Sequence, residues 1–468
     1  MYDIVIIGGG PGGYVAAIRA GQLGAKVALV EKDSLGGVCL NWGCIPTKSL
    51  LESADLYHKM QNCEKMGIKC SQITPDIGAM VDRSRKIVKQ LTSGVEHLMK
   101  KNNVEVIKGH GRLIRSGKYK VVSIDNSRQI TGANDNSRQI TGANVIIATG
   151  ASNRGLPGVI IDGIHILDCR HAMTMQNIPD SIVIVGGGVI GMEFASFFNA
   201  LGSKVTVVEY GQNILGFADK DIIKWSTNAF KQKGIQFHFG VKVDQVLQEN
   251  GSVRVVSNQL AENIVADKCL VAVGVVPNSA DLGLEKIPSI SIKNGYIETG
   301  LGNETGEPGI FAIGDVTSGP WLAHKAMQEG IRCVEGIMSG AKTSLDPNSV
   351  PMCVYSMPQI AQIGLTQDEA EKLGKEISVS TYPLKANGKA LAEENDGFVK
   401  VIFEKNTRIF LGAHLVGNHV TELIHGYALL QSLEGLADDV VRTIFPHPTL
   451  SEAAQEAVMS AIGMGLHM

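Results

Sequence analysis

Cys39-Leu-Asn-Trp-Gly-Cys44 sets two thiols at a fixed separation, with Gly36-Gly37 before them and Ile45-Pro46-Thr47-Lys48 after. Cysteines five apart are not neighbours on a helix, whose adjacent side chains lie three or four apart. The preceding glycines and Gly43 free the backbone to bend, and a bend can bring the two Cα atoms within the roughly 4.4–6.8 Å that a disulfide spans. Pro46 is compatible with the first turn of a following helix, which would put Cys44 near a helix N-terminus. There the helix dipole favours a thiolate, and Lys48 one turn on adds a positive charge. The chemistry implied is thiol-disulfide exchange. The alternatives are two structural cysteines or half of a metal site; no second Cys-x-x-Cys or His pair at matching spacing supports a metal.

Exchange chemistry needs a proton acceptor near neutral pH, which histidine provides. Among 12 histidines, His447 in Pro446-His447-Pro448-Thr449-Leu450-Ser451-Glu452 is the best candidate, with Glu452 as the carboxylate that would orient it. Taken bare, a His-Pro step with a glutamate five residues on is more often loop than dyad. His324, His414 and His425 read as structural or cofactor-lining.

The elements that must position these groups obey one grammar used twice. DIVII at residues 3–7 reads as a buried strand, GGGPGG at 8–13 as a tight turn, and the Ala-rich stretch after it as a helix. IVIVGGGVIG at residues 182–191 repeats the pattern. Gly8, Gly10 and Gly13, then Gly186, Gly188 and Gly191, have the spacing in which one glycine makes the turn, one admits a pyrophosphate, and one lets helix pack on strand. Glu31 ends KVALVE and Glu209 ends KVTVVE, each placed to accept hydrogen bonds from a ribose. Two such sites imply two different dinucleotides. A carboxylate about 4 Å from a 2′-phosphate would cost roughly 1–4 kcal/mol, so Glu209 favours NAD over NADP. No Arg or Lys lies between Glu209 and Lys220 to offset it.

A length of 468 residues predicts about three domains. The expected class is α/β: two Rossmann-like dinucleotide-binding domains plus a C-terminal α+β dimerisation domain. The expected divisions are 1–150, 151–275, a central segment 276–346 that completes the first domain, and 347–468. The last boundary rests on a change of texture to VPMCVYSMPQIAQIGL, GFVKVIFEK and RIFLGAHLVG, which suggest an antiparallel sheet. A formal net charge of −3 gives no footprint for nucleic acid or an anionic membrane. No apolar run approaches the roughly 18 residues of a membrane span, and no leader segment is apparent. Eight scattered cysteines lack the density of a secreted disulfide framework, so a cytosolic compartment is expected. Residues 125–134, DNSRQITGAN, recur unchanged at 135–144, a duplication best read as extra length in a surface hairpin.

In this order GGGPGG, GGVCLNWGCIPTK, NVIIATG, GGGVIGME, VAVG, GIFAIGDV, LAHKA and HPTLSEA run almost the whole chain, and the chain resembles the pyridine nucleotide-disulfide oxidoreductase family, in particular its dihydrolipoyl-oxidising branch. The resemblance implies FAD held by Gly8, Gly10, Gly13, Glu31, Lys48, Thr149, Gly150, Asp315 and the run Trp321, Leu322, Ala323 and His324. NAD would be held by Gly186, Gly188, Gly191, Glu193, Glu209 and Gly274. Lys48 and Glu193 would form a buried pair beside the flavin. Cys39 would exchange with substrate while Cys44 faces the flavin as a thiolate, and His447 would serve the disulfide of the other subunit in a homodimer. The partners implied are dihydrolipoyl-bearing proteins of 2-oxoacid dehydrogenase or glycine cleavage complexes; the location implied is the cytoplasm, or the mitochondrial matrix for a processed eukaryotic chain. Glutathione-type reductases would want basic residues after the second ribose strand, where this chain has Glu209-Tyr210-Gly211, and mercuric reductases typically add a C-terminal cysteine pair, whereas Cys353 is the last cysteine here. A catalytically idle docking flavoprotein is the reading from another class; the presence of every chemical residue disfavours it.

Overall fold

The apolar run at the chain's start becomes the middle strand of a sheet covered on both faces. The computed structural model describes residues 1–125 and 138–467. Its first elements are β1 (Tyr2–Ile7), α1 (Pro11–Gln22), β2 (Val27–Glu31), α2 (Gly37–Trp42), α3 (Cys44–Gln61) and α4 (Ile77–Lys101). Next come β3 (Glu105–Lys108), β4 (His110–Arg115), β5 (Lys120–Asp125) and β6 (Arg138–Ile147). They form a sheet in the order β3-β2-β1-β6-β5-β4, and the strand Ile310–Ala312 adds to β6. β1 runs parallel to both β2 and β6, while β4, β5 and β6 are antiparallel.

Alternation sends Ile4, Ile6, Leu29 and Ile146 to one face against Ala16, Ala17 and Ala20 of α1. Val5, Ile7, Val30 and Ile147 go to the other, with Val122 and Ile124. Both faces are dry, which is why the strand reads as one continuous apolar run. The small residues of α1 admit the helix Ala323–Ser339 closely: a Cβ on Gly330 would lie 2.7 Å from the Gly12 carbonyl oxygen. The sheet, α1, α2, the start of α3, nearly all of α4 and the helix Ala323–Ser339 belong to a unit of residues Met1–Ser49, Ala79–Arg154 and Val275–Pro347.

A second unit takes in Leu50–Gly78, Gly155–Gly274 and Asn348–Met468. It holds a parallel sheet ordered Gln236–Phe239, Lys204–Glu209, Ser181–Val185, Lys268–Val271 and Ile166–Leu167. It also holds the antiparallel C-terminal sheet, ordered Met352–Val354, Gln359–Gly364, Phe410–Gly417, Phe398–Glu404 and Ile377–Pro383. The expected fold class is therefore the observed one. Within this unit Lys400, wholly buried, donates to Asp219 Oδ1 at 2.8 Å and to Asp221 Oδ2 at 2.6 Å. Asp219 also caps the helix Lys220–Gln232 by accepting the Asp221 N–H, so this charge cluster joins that helix to the C-terminal sheet. Of the duplicated decapeptide, residues 138–144 of the second copy lie in β6, where 138–142 pair with β5; most of the first copy is outside the described residues.

Candidate active site

The bend expected between the two cysteines is a break between two helices. Gly36 and Gly37 adopt left-handed φ values of 89° and 57°, α2 then carries Cys39, Gly43 interrupts at φ −150° and ψ −112°, and Cys44 opens α3. Packing demands the glycine at 37, where a Cβ would lie 2.7 Å from the Gly10 Cα. Buried Asn41 ties the loop down by donating to the carbonyls of Leu35 and Gly37 at 3.0 and 2.9 Å. Arg85 of α4 donates to the Asn41 carbonyl at 2.9 Å and lies over the Trp42 ring at 4.8 Å.

The Cys39 thiol is hydrogen-bonded to Cys44. That shared proton, then burial, holds Cys39 far above its ordinary value; the Lys48 charge pulls the other way and Asp315 adds to the rise. The thiolate-favouring environment expected from Lys48 is thus present but outweighed at Cys39. Asp315 is itself pushed up to about 6, first by burial and further by Glu329, while Lys325 opposes the rise. Lys325 and Glu329 form a buried ion pair at 2.7 Å, and Glu329 also accepts the Gly314 N–H at 2.7 Å. Burial first, then the neighbouring Cys39 and Cys44, raise the phenol of half-buried Tyr14 of α1 above its ordinary value. Sequence reasoning missed Tyr14, Asn41, Arg85 and the Lys325–Glu329 pair. The four-residue spacing of Lys325 and Glu329 is the one local signal that could have found any of them.

The first glycine loop has room for an anion where one is needed. A Cβ on Gly8 would strike the Ala148 carbonyl oxygen at 2.3 Å, and one on Gly13 the Gly8 carbonyl oxygen at 1.9 Å. At Gly10, the N-cap of α1, a Cβ meets nothing within 4 Å. Tight packing on either side of an open helix N-terminus fits a pyrophosphate. Glu31 accepts the N–H groups of Gly9 and Asp33 at 2.6 and 2.7 Å, and its remaining lone pairs suit a ribose. Thr149 and Gly150 are locked by Asn278: Thr149 Oγ1 donates to its carbonyl at 2.7 Å, and its own N–H donates to the Gly150 carbonyl at 2.9 Å. Trp321 stacks on Tyr296 with centroids 5.2 Å apart; Leu322, Ala323 and His324 come next, at the start of the helix Ala323–Ser339. These groups, Asp315 and the cysteines all belong to one unit.

The second loop matches the first in detail. A Cβ on Gly186 would lie 2.3 Å from the Ala272 carbonyl oxygen, one on Gly191 1.9 Å from that of Gly186, and one on Gly188 would meet nothing within 4 Å. Glu209 accepts the N–H groups of Gly187 and Gly211 at 2.5 and 2.6 Å. Gly274 has φ 101°. Buried Glu193 accepts the Tyr355 N–H at 3.0 Å.

His447 Nδ1 lies 2.8 Å from Glu452 Oε1, and Glu452 Oε2 accepts the Thr449 N–H at 2.8 Å. The Thr449 N–H and then the imidazole hold the Glu452 carboxyl below the usual carboxylate range. The His447 side chain is 82% exposed, so its second ring nitrogen is open to a visitor. In a similar pair, His467 Nδ1 lies 2.7 Å from Glu456 Oε1, and Glu456 Oε2 accepts the N–H groups of Leu466 and His467, which fastens the chain end.

Residues 2–330 match the pyridine nucleotide-disulphide oxidoreductase family, and residues 350–458 match that family's dimerisation domain. The chain belongs to the pyridine nucleotide-disulphide oxidoreductase family. It is 41% identical over 471 residues to the dihydrolipoyl dehydrogenase of Zymomonas mobilis, covering 100% of this chain and 99% of that one. The Bacillus subtilis dihydrolipoyl dehydrogenase is likewise 41% identical with the same coverage, and the mitochondrial enzyme of Pisum sativum 38% over 100% of this chain and 92% of its own. Among solved structures, LpdA of Mycobacterium tuberculosis superposes with a TM-score of 0.91 at 26% identity, covering 98% of this chain and 99% of that one. As a member of this family the chain is an oxidoreductase, and its C-terminal sheet is a dimerisation domain that makes it a homodimer. No helix among the described residues is long and apolar enough to cross a membrane.

Proposed function

We propose that the chain oxidises protein-bound dihydrolipoyl groups to lipoyl disulfide and reduces NAD, with FAD between the two. One observation carries this reading: a hydrogen-bonded Cys39/Cys44 pair beside Lys48 and Asp315, in the same unit as a glycine-lined pyrophosphate cradle. We assign FAD to Gly8, Gly10, Gly13, Glu31, Lys48, Thr149, Gly150, Asp315 and the run from Trp321 to His324, so that residues 1–150 and 276–346 form its domain. NAD is assigned to Gly186, Gly188, Gly191, Glu193, Glu209 and Gly274 in residues 151–275, with residues 347–468 forming the interface. FAD supplies a two-electron relay that a dithiol and a nicotinamide cannot make directly.

The residues perform the rest. The exposed nitrogen of His447 of the partner subunit takes a proton from the substrate dithiol, and Glu452 fixes the tautomer and stabilises the imidazolium. The substrate thiolate attacks the Cys39 sulfur; the Cys39–Cys44 bond breaks and Cys44 leaves as thiolate. The second substrate thiol then attacks the first sulfur and expels Cys39, which takes up that second thiol's proton while the histidine keeps the first. Because its surroundings hold Cys39 protonated, the negative charge of the reduced pair stays on Cys44 near Lys48. The macromolecular partners are dihydrolipoyl-bearing proteins of a 2-oxoacid dehydrogenase or glycine cleavage complex. The location is the cytoplasm, or the mitochondrial matrix if the chain is a processed eukaryotic one.

The test is NAD reduction by the flavin-loaded dimer with free dihydrolipoamide. Turnover with NAD well above that with NADP is expected. A flavin-loaded chain that gives no turnover is an idle docking protein, and the reading fails.

A further inference from the structure

A second pair of thiols, unused by the chemistry above, lies just beyond α3. Cys63 opens a 3-10 turn, Cys63–Met66, and Gly67 closes it in the left-handed conformation at φ 77°. Gly67 N–H donates to the Glu64 carbonyl at 3.0 Å and Ile68 N–H to the Cys63 carbonyl at 3.1 Å. This reversal returns the chain on itself, and Cys70 Sγ comes to 3.1 Å from Cys63 Sγ. The turn is open to solvent: Cys70 is exposed and Cys63 partly so, with Met66 and Ile68 exposed between them. Lys65 and Lys69 lie between the two cysteines in sequence. Other thiols contrast with it, since Cys169, Cys269 and Cys333 are buried and burial pushes each of them well up.

We propose that Cys63 and Cys70 form a second dithiol site, which takes a small-molecule disulfide and closes to an intrachain disulfide by exchange. One thiolate of the pair attacks a sulfur of the incoming disulfide R–S–S–R. That bond breaks, a mixed disulfide forms, and R–S⁻ leaves and takes up the proton the cysteine gave up. The other cysteine, as thiolate, attacks the protein sulfur of the mixed disulfide and expels the second R–S⁻. Two cysteines are thereby oxidised by two electrons, and one disulfide is reduced to two thiols. The sulfurs need to approach by about 1 Å to reach the roughly 2.05 Å of an S–S bond, within an exposed turn that already brings them together. The proton shared with Cys63 holds the Cys70 thiol above its ordinary value, so exchange should quicken as the pH rises.

The experiment uses the full-length, flavin-loaded protein in buffers of graded oxidised-to-reduced glutathione ratio. Samples are quenched in acid, alkylated and digested, and their peptides are mapped by mass. The expected result is a cross-linked peptide pair joining Cys63 to Cys70, with loss of both alkylation sites, appearing faster at higher pH. A Cys63→Ser variant should stall as a Cys70–glutathione adduct, and the Cys63→Ser/Cys70→Ser double variant should lose the cross-link with dihydrolipoamide activity unchanged. Cys63 and Cys70 both remaining alkylated under conditions that link Cys39 to Cys44 would overturn the proposal. So would separate glutathione adducts on Cys63 and Cys70 of the unsubstituted chain.

Discussion

The two glycine loops share one backbone plan and part company once it is complete. In both, a carboxylate at the end of the second strand accepts two N–H groups, Glu31 in one and Glu209 in the other. In both, the carbonyl of the middle glycine accepts a further N–H, Gly36 to Gly9 at 2.8 Å and Leu215 to Gly187 at 2.9 Å. After that bond the two loops diverge. The first enters α2 and brings the redox cysteines against the loop, with Gly37 packed on Gly10 and the helix Ala323–Ser339 closing over α1. The second enters the open stretch before the helix Lys220–Gln232, and Tyr210 beside Glu209 is 73% exposed. The same cradle thus suits a resident cofactor when it is covered and an exchanging one when it is open.

Substitutions can break or sharpen this contrast, beginning with the largest effect. Cys44→Ser should lower dihydrolipoamide-dependent turnover by about 10³-fold or more while flavin content stays intact, measured by stopped-flow assay and absorbance. Equal loss of flavin would mean the cysteine helix is structural cover rather than chemistry. His447→Gln belongs to neither loop and should cost about 10²–10⁴ in kcat, with flavin and NAD binding unaltered.

Gly13→Ala and Gly191→Ala form a matched pair, since each new Cβ meets a carbonyl oxygen at 1.9 Å. The first should abolish flavin retention on gel filtration and the second should spare it, raising the KM for NAD instead. Identical phenotypes would erase the distinction between resident and exchanging sites. Asp315→Asn probes the covered side by its charge. The folded chain raises Asp315 from 3.8 to about 6, so its contribution to stability is full below the lower value and is lost as the pH rises through the upper one. At pH 7 the flavin-free variant should therefore unfold with about 1–3 kcal/mol more stability in urea, while binding flavin more weakly. The smallest effect is on the open side, where Glu209→Gln should narrow the preference for NAD over NADP by about tenfold in kcat/KM.

The covalent spacing of glycines, cysteines and strand-end glutamates was legible because each is a local device: a turn, a cap, a bend. Both strand-turn-helix units and the C-terminal antiparallel sheet form where the periodicity put them. Arg85 was not legible, because its value lies in reaching Asn41 and Trp42 across 40 or more positions, and nothing near it in sequence marks that reach. Tyr14 looked like an ordinary residue of an Ala-rich helix until the fold turned it toward the two thiols. The His447–Glu452 pairing was visible only as a weak five-residue pattern; the geometry gives it a 2.8 Å bond, and His467–Glu456 shows that such a bond alone does not assign a role.

The outward-facing imidazole of His447 carries a genetic consequence. If each centre borrows its base from the neighbouring chain, a Cys44→Ser homodimer and a His447→Gln homodimer are both dead, yet exchanging chains between them rebuilds one complete centre per hybrid. Two null alleles would then complement each other in one cell.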